Sequence, residues 1–66
     1  MTTQEYVQIL NSRYQKVLLN KGETAKELGI SIATLDRLRK SGEISSKKVK
    51  GQIFFPIATI AEFIAL

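Results

Sequence analysis

Gly29 separates two short stretches of helical apolar spacing, and this residue does most to constrain what the 66-residue chain can fold into. Within TAKELGISIATLDRLR, the residues Ala25, Gly29, Leu35 and Leu38 give the pattern A-x3-G-x5-L-x2-L, with Leu28 and Ile30 also apolar. A helix ends readily at glycine, which takes the left-handed backbone conformation that other residues resist. Two short helices can then cross steeply at a tight turn. Ala25 is small where the second helix passes close, Ile30 fills the space beneath the turn, and Leu35 and Leu38 anchor the second helix to the first. That packing leaves one face of the second helix turned outward.

The flanking segments complete the expected architecture. A first helix is expected from Thr3 to Val17, capped by Thr2 or Thr3, with Tyr6, Val7, Leu10, Tyr14 and Val17 facing a core at helical spacing. Asn20 followed by Glu23 reads as a capping box that opens a helix from Lys21 to Leu28. Ser31 is the natural cap of the next helix, Ile32 to Ser41, which Gly42 closes. Lys47 to Phe55 predicts two short strands joined at Lys50-Gly51. Val49, Ile53 and Phe55 are expected on one face, and Phe54 on the other, against the first helix or toward a neighbour. The last helix is expected to start at Pro56, whose fixed φ suits a first turn, with Ile57, Ile60, Ala61 and Ile64 at i, i+3, i+4 and i+7. No linker or repeat interrupts the chain, so one domain over residues 1–66 is expected, mainly α with a small β-hairpin, in the order α-α-α-β-β-α. Its parts are an N-terminal helix over 1–18, a helical pair over 20–42, a hairpin over 47–55 and a closing helix over 56–66.

Composition narrows the function. The chain has neither Cys nor His, which removes thiolate metal sites, disulfides, imidazole bases and the usual catalytic triads. No nucleophile–base pair and no phosphate-cradling glycine loop is legible, so an enzyme, a cofactor and a small-molecule substrate are not expected. No apolar run approaches the roughly 18–20 residues of a membrane span. The opening MTTQEYVQILNSRYQ lacks the basic start and apolar block of a signal peptide, so a cytoplasmic location is the expectation. Ten Lys and Arg against six Asp and Glu leave a net charge of +4. Six of those cations, Arg37, Arg39, Lys40, Lys47, Lys48 and Lys50, lie between Ser31 and Lys50, opposed there only by Asp36 and Glu43. A clustered positive field suits a polyanionic partner. The plain alternative is a solvated charged face.

LNKGETAKELGISIATLDRLRKSGEI followed by KKVKGQIFFPIATIAEFI resembles the MerR-like winged helix-turn-helix domains, in layout most like AlpA-type regulators and phage excisionases. The resemblance spans Leu19 to Ile64 and rests on the A-x3-G-x-S turn, the T-L-x-R-L helix, the hairpin and the proline before the last helix. It implies a winged helix-turn-helix fold that binds double-stranded DNA, with the second helix of the pair in the major groove and the hairpin wing against the backbone or the adjacent minor groove. The role it implies is transcription regulation or steering of DNA recombination in a phage, mobile element or bacterium, at the nucleoid. Two features depart from the pattern. Asp36 stands where it would repel a phosphate, and the N-terminal helix is longer than a minimal member needs.

On a helical wheel the outward positions are Ala33, Asp36, Arg37 and Lys40, flanked by Ile32 and Thr34. Arg37 is expected to make the main groove contact, to guanine or phosphate, and Lys40 a phosphate contact. Ser31 and Thr34 are placed to donate to phosphates at the helix N-terminus, although Ser31 also serves as cap. Ile32 and Ala33 are placed to touch a thymine methyl. Arg39 is expected to flank the core and pair with a carboxylate such as Glu43. In the wing, Lys48 and Lys50 are the phosphate candidates, with Lys47 behind them, unless these lysines only keep an edge hairpin soluble. AEFIAL holds more apolar residues than one buried stripe needs. The alternative function is therefore a protein-interaction or self-association module, in which the last helix (Ile57, Ile60, Phe63, Ile64 and Leu66) or the N-terminal helix is presented to a second copy, a recombinase or RNA polymerase.

Overall fold

The computed structural model describes residues 2–65. Helix α1 (Thr3–Tyr14) is opened by Thr2, whose hydroxyl accepts from the Glu5 N–H while the Glu5 carboxylate accepts from the Thr2 N–H. This reciprocal box satisfies two N–H groups that have no partner inside the helix. The helix stops short of the expected Val17. Gln15 turns into the left-handed region at φ 55°, which breaks the helical path, and Val17 is left 69% exposed instead of joining the buried stripe.

The chain then forms a strand that apolar periodicity did not announce, β1 (Leu18–Asn20). Three residues are too few to show alternation, and they are extended because a partner strand lies alongside. Asn20 ends β1 and caps α2 (Lys21–Leu28), its side chain accepting from Glu23 N–H at 2.8 Å and its own N–H donating to Glu23 at 3.0 Å. Thr24 is fully buried, and its hydroxyl donates to the Asn20 carbonyl at 2.8 Å. Gly29 takes φ 70° and closes α2, and Ile30 N–H reaches back to the Ala25 carbonyl at 3.0 Å. Ser31 caps α3 (Ile32–Lys40), with Ser41 as its C-cap. Gly42 follows at φ 84° and returns Ile44 to the core, where it is buried.

The wing is β2 (Lys47–Val49) and β3 (Gln52–Pro56), joined at Lys50-Gly51 as expected. Both turn residues have positive φ, 51° and 81°, the geometry that matches the twist of a tight hairpin. β3 is the central strand of an antiparallel sheet in the order β1-β3-β2, so the expected two-stranded hairpin is a three-stranded sheet. The register pairs Val49 with Gln52, Lys48 with Ile53 and Lys47 with Phe54. Val49 therefore lies on the face of Lys47 and Phe54, 42% exposed, and not on the face of Ile53 and Phe55. Phe54 does point away from Ile53 and Phe55, half-buried between its ladder partners Lys47 and Asn20. Leu19 lies opposite Phe55, and both are fully buried.

Pro56 ends β3 opposite Leu18, and α4 (Ile57–Ala65) begins one residue later than expected. Its first N–H is taken by the Val17 carbonyl at 2.8 Å, which ties the end of the α1–β1 connection to the start of α4. α4 packs chiefly on α1. Ile57, Ile60 and Ala61 are buried, and Phe63 and Ile64 are partly buried against the same cluster. Ile57 and Ile60 are thus spent on the core, and Leu66 lies outside the described residues. The architecture is a mainly helical, winged helix-turn-helix fold around a core of Leu10, Leu19, Leu35, Ile44, Phe55 and Ile60. No helix among the described residues is long and apolar enough to cross a membrane.

The core assignment predicts a sharp contrast in urea denaturation. Phe55→Ala is expected to cost about 3–5 kcal/mol, a large part of the stability of a small domain. Val17→Ala, despite its helical spacing, is expected to stay within about 0.5 kcal/mol of the parent.

Candidate nucleic-acid interface

Ion pairing divides the cations into two groups. Arg13 grips Glu27 at 2.8 Å, Lys16 meets Glu23 at 2.8 Å, and Asp36 takes both Lys21 at 3.0 Å and Arg39 at 3.4 Å. Among the described residues, Lys26, Arg37, Lys40, Lys47, Lys48 and Lys50 have no carboxylate within 4.0 Å. Five of these six are cations that sequence reasoning singled out. Lys26, on α2, was missed. Its flanking acids Glu23 and Glu27 look like partners in the sequence, and only the fold shows both turned to Lys16, Arg13 and Tyr14.

The carboxylates respond accordingly. Burial works to raise Glu27, but the Tyr14 hydroxyl, donating at 2.7 Å, and the Arg13 guanidinium outweigh it and hold Glu27 below the usual carboxylate range. The same contact pushes the Tyr14 phenol up. Asp36 is lowered by Lys21 and then by Arg39.

Asp36 therefore does not stand as an unpaired outward charge on α3. Its side chain is half-buried and bridges to Lys21 at the start of α2, which fixes the two helices against each other and cancels the negative charge. Arg39 finds a carboxylate as expected, but a different one. It pairs with Asp36 one turn back, at a spacing the helix itself supplies, and not with Glu43 beyond Gly42. Glu43 accepts instead from the Ser41 hydroxyl at 2.9 Å. Arg39 Nε is buried with no hydrogen-bond partner.

The outward face of α3 holds Ile32, Ala33, Arg37 and Lys40, all exposed, with Ile32 at 50%. Ser31 acts as the cap, its Oγ accepting from Thr34 N–H at 3.1 Å. Its hydroxyl donates to Thr34 Oγ1 at 2.9 Å, and Arg37 Nη2 donates to the same oxygen at 3.1 Å. Thr34 is half-buried at the edge of this face. In the wing, Lys47 and Lys48 are consecutive in a strand and so point to opposite faces, and Lys50 sits in the turn. At φ 51° Lys50 occupies a conformation that glycine or asparagine takes more easily. The nine residues singled out thus fall on two adjacent stretches of the chain, the first turns and outer face of α3 and the wing.

A helical pair across Gly29, an exposed second helix with unpaired cations and a basic hairpin now stand together. The family model described as a helix-turn-helix domain matches residues 18–65. The chain belongs to this helix-turn-helix domain family. Neither a curated protein nor a solved structure matches it. The match begins at β1 and ends with α4, so α1 lies outside it although it packs on α4. Membership points to DNA as the partner of this helix-turn-helix domain.

The Glu27 clasp ties α1 to α2, and its pH dependence has a definite sign. A carboxylate held low in the folded state contributes stability that is present above its ordinary value, 4.5, and is lost as the pH falls through the folded one. The urea midpoint is expected to drop between about pH 6 and about pH 3, and Glu27→Gln is expected to lower it at the upper pH while flattening the drop.

Proposed function

We propose that the chain is a sequence-specific double-stranded DNA binder, a small regulator of transcription or of site-specific recombination, built as one MerR-like winged unit of the AlpA-type and excisionase-like layout. The single observation that supports this most strongly is the charge division. Among the described residues, the outward cations of α3 and the wing have no carboxylate in reach, as Lys26 on α2 has none, while Arg13, Lys16, Lys21 and Arg39 are paired. A polyanion on the outer face of α3 meets Arg37 and Lys40, and one along the hairpin meets Lys47, Lys48 and Lys50, none of them held by a carboxylate among the described residues.

In this reading α3 enters the major groove. Arg37 carries the base contact, because a planar guanidinium offers two parallel donors to guanine O6 and N7. Ile32 and Ala33, near the N-terminal end of the helix where base edges are reached, lie against thymine methyl groups. Lys40 holds a phosphate, and Ser31 leaves the helix N-terminus open to another. Lys47, Lys48 and Lys50 hold the wing to the backbone on either side of the hairpin. Such a protein acts at the nucleoid in the cytoplasm. It needs no cofactor, and a recombinase, RNA polymerase or second copy would meet it on the bound DNA.

Selection from a random duplex pool at near-physiological salt tests the proposal, with an enriched motif as the expected result and no enrichment as the contrary one. On the enriched duplex, Arg37→Ala is expected to lower affinity about tenfold or more and to relax preference at one base pair. Lys48→Ala and Lys50→Ala are each expected to weaken all duplexes alike and to reduce the salt slope by about one.

A further inference from the structure

Thr34 Oγ1 holds two neighbours at once. It accepts from the Ser31 hydroxyl at 2.9 Å and from Arg37 Nη2 at 3.1 Å, and Ser31 is itself fixed as the cap of α3 through Thr34 N–H. Both acceptor sites of the threonine oxygen are thereby filled. A β-branched side chain has few accessible χ1 states in a helix, so a bond to the cap selects one of them. The three residues form a ladder along the outer edge of α3, in which the cap fixes Thr34 and Thr34 fixes the guanidinium. Arg37 is otherwise exposed, with no carboxylate in reach among the described residues.

We propose that Thr34 is a positioning residue that aims the Arg37 guanidinium for base reading, in place of the direct phosphate contact its location first suggests. This rests on Arg37 being the groove contact. One guanidinium N–H is used on Thr34, and the others remain for a bidentate pair with guanine. An arginine already aimed loses less freedom on binding, and the gain falls only on the duplex that presents guanine where the fork points.

The two roles give different signatures. Losing a phosphate contact weakens every duplex equally and lowers the salt slope. Losing the aim of Arg37 lowers discrimination and leaves the salt slope alone. Binding of the parent, Thr34→Val, Thr34→Ala, Thr34→Ser, Arg37→Ala and the Thr34→Val/Arg37→Ala double variant is measured at two salt concentrations. The duplexes are the enriched one and one with the guanine pair replaced, and thermal melts establish that each variant is folded. Thr34→Val is expected to cut discrimination about fivefold with an unchanged salt slope, with Thr34→Ala doing the same if the valine variant does not fold. Thr34→Ser restores discrimination, and the double variant discriminates no worse than Arg37→Ala alone. Equal weakening of both duplexes with a slope reduced by about one, unchanged discrimination, or additive losses in the double variant would each overturn the positioning role. A pool that yields no motif overturns the reading of Arg37 itself, whereas full discrimination by Thr34→Val against a real motif overturns only the role of Thr34.

Discussion

The left-handed turn at Gly29 is the constraint from which the placement of α3 and its outer face follows. At φ 70° the glycine ends α2, and its N–H and that of Ile30 return to carbonyls of the last turn. A Cβ there would meet nothing within 4 Å, so it is the backbone conformation alone that asks for glycine. Two residues later Ser31 starts α3, and the change of direction brings Leu35 into the core while Ala33, Arg37 and Lys40 stay outside. The Asp36–Lys21 bridge holds the same crossing from the surface side.

Charge follows from that geometry. Six carboxylates are too few to neutralise ten cations, and most of them are committed to structure. Glu5 and Glu23 complete capping boxes, Glu27 clasps α1 to α2, and Asp36 ties α2 to α3. The surplus positive charge is left mainly on α3 and the wing. An interface of this kind is set up as much by where acids are used as by where bases are placed. Lys26, whose neighbouring acids are both engaged elsewhere, is free for the same reason.

Much of this was legible in the sequence, for local reasons. The caps at Asn20 and Ser31, the end at Gly29 and the turn at Lys50-Gly51 are set by a few adjacent residues, and each stands where it was read. β1 was not legible, because Leu18–Asn20 is a strand only through its pairing with β3, a contact more than thirty residues away. Val17 kept helical spacing after the helix had stopped, since spacing does not register the left-handed turn at Gln15. Ile44 joins the core as a lone apolar residue in a loop and has no period to reveal it. The face of Val49 was derivable and was misread: a two-residue turn at Lys50-Gly51 already pairs Val49 with Gln52 and Lys48 with Ile53. In the site, the outward placement of Arg37 and Lys40 followed from the helical wheel. The partners of Asp36 and Arg39 did not, because they depend on where α2 lies against α3.

The division between paired and unpaired cations is tested most directly by observing side-chain nitrogen signals of every Lys and Arg by NMR while an enriched duplex is added. Signals of Arg37, Lys40, Lys47, Lys48 and Lys50 are expected to shift, and those of Arg13, Lys16, Lys21 and Arg39 to stay in place. Shifts concentrated on the paired group, with α3 and the wing unmoved, would contradict the interface drawn here.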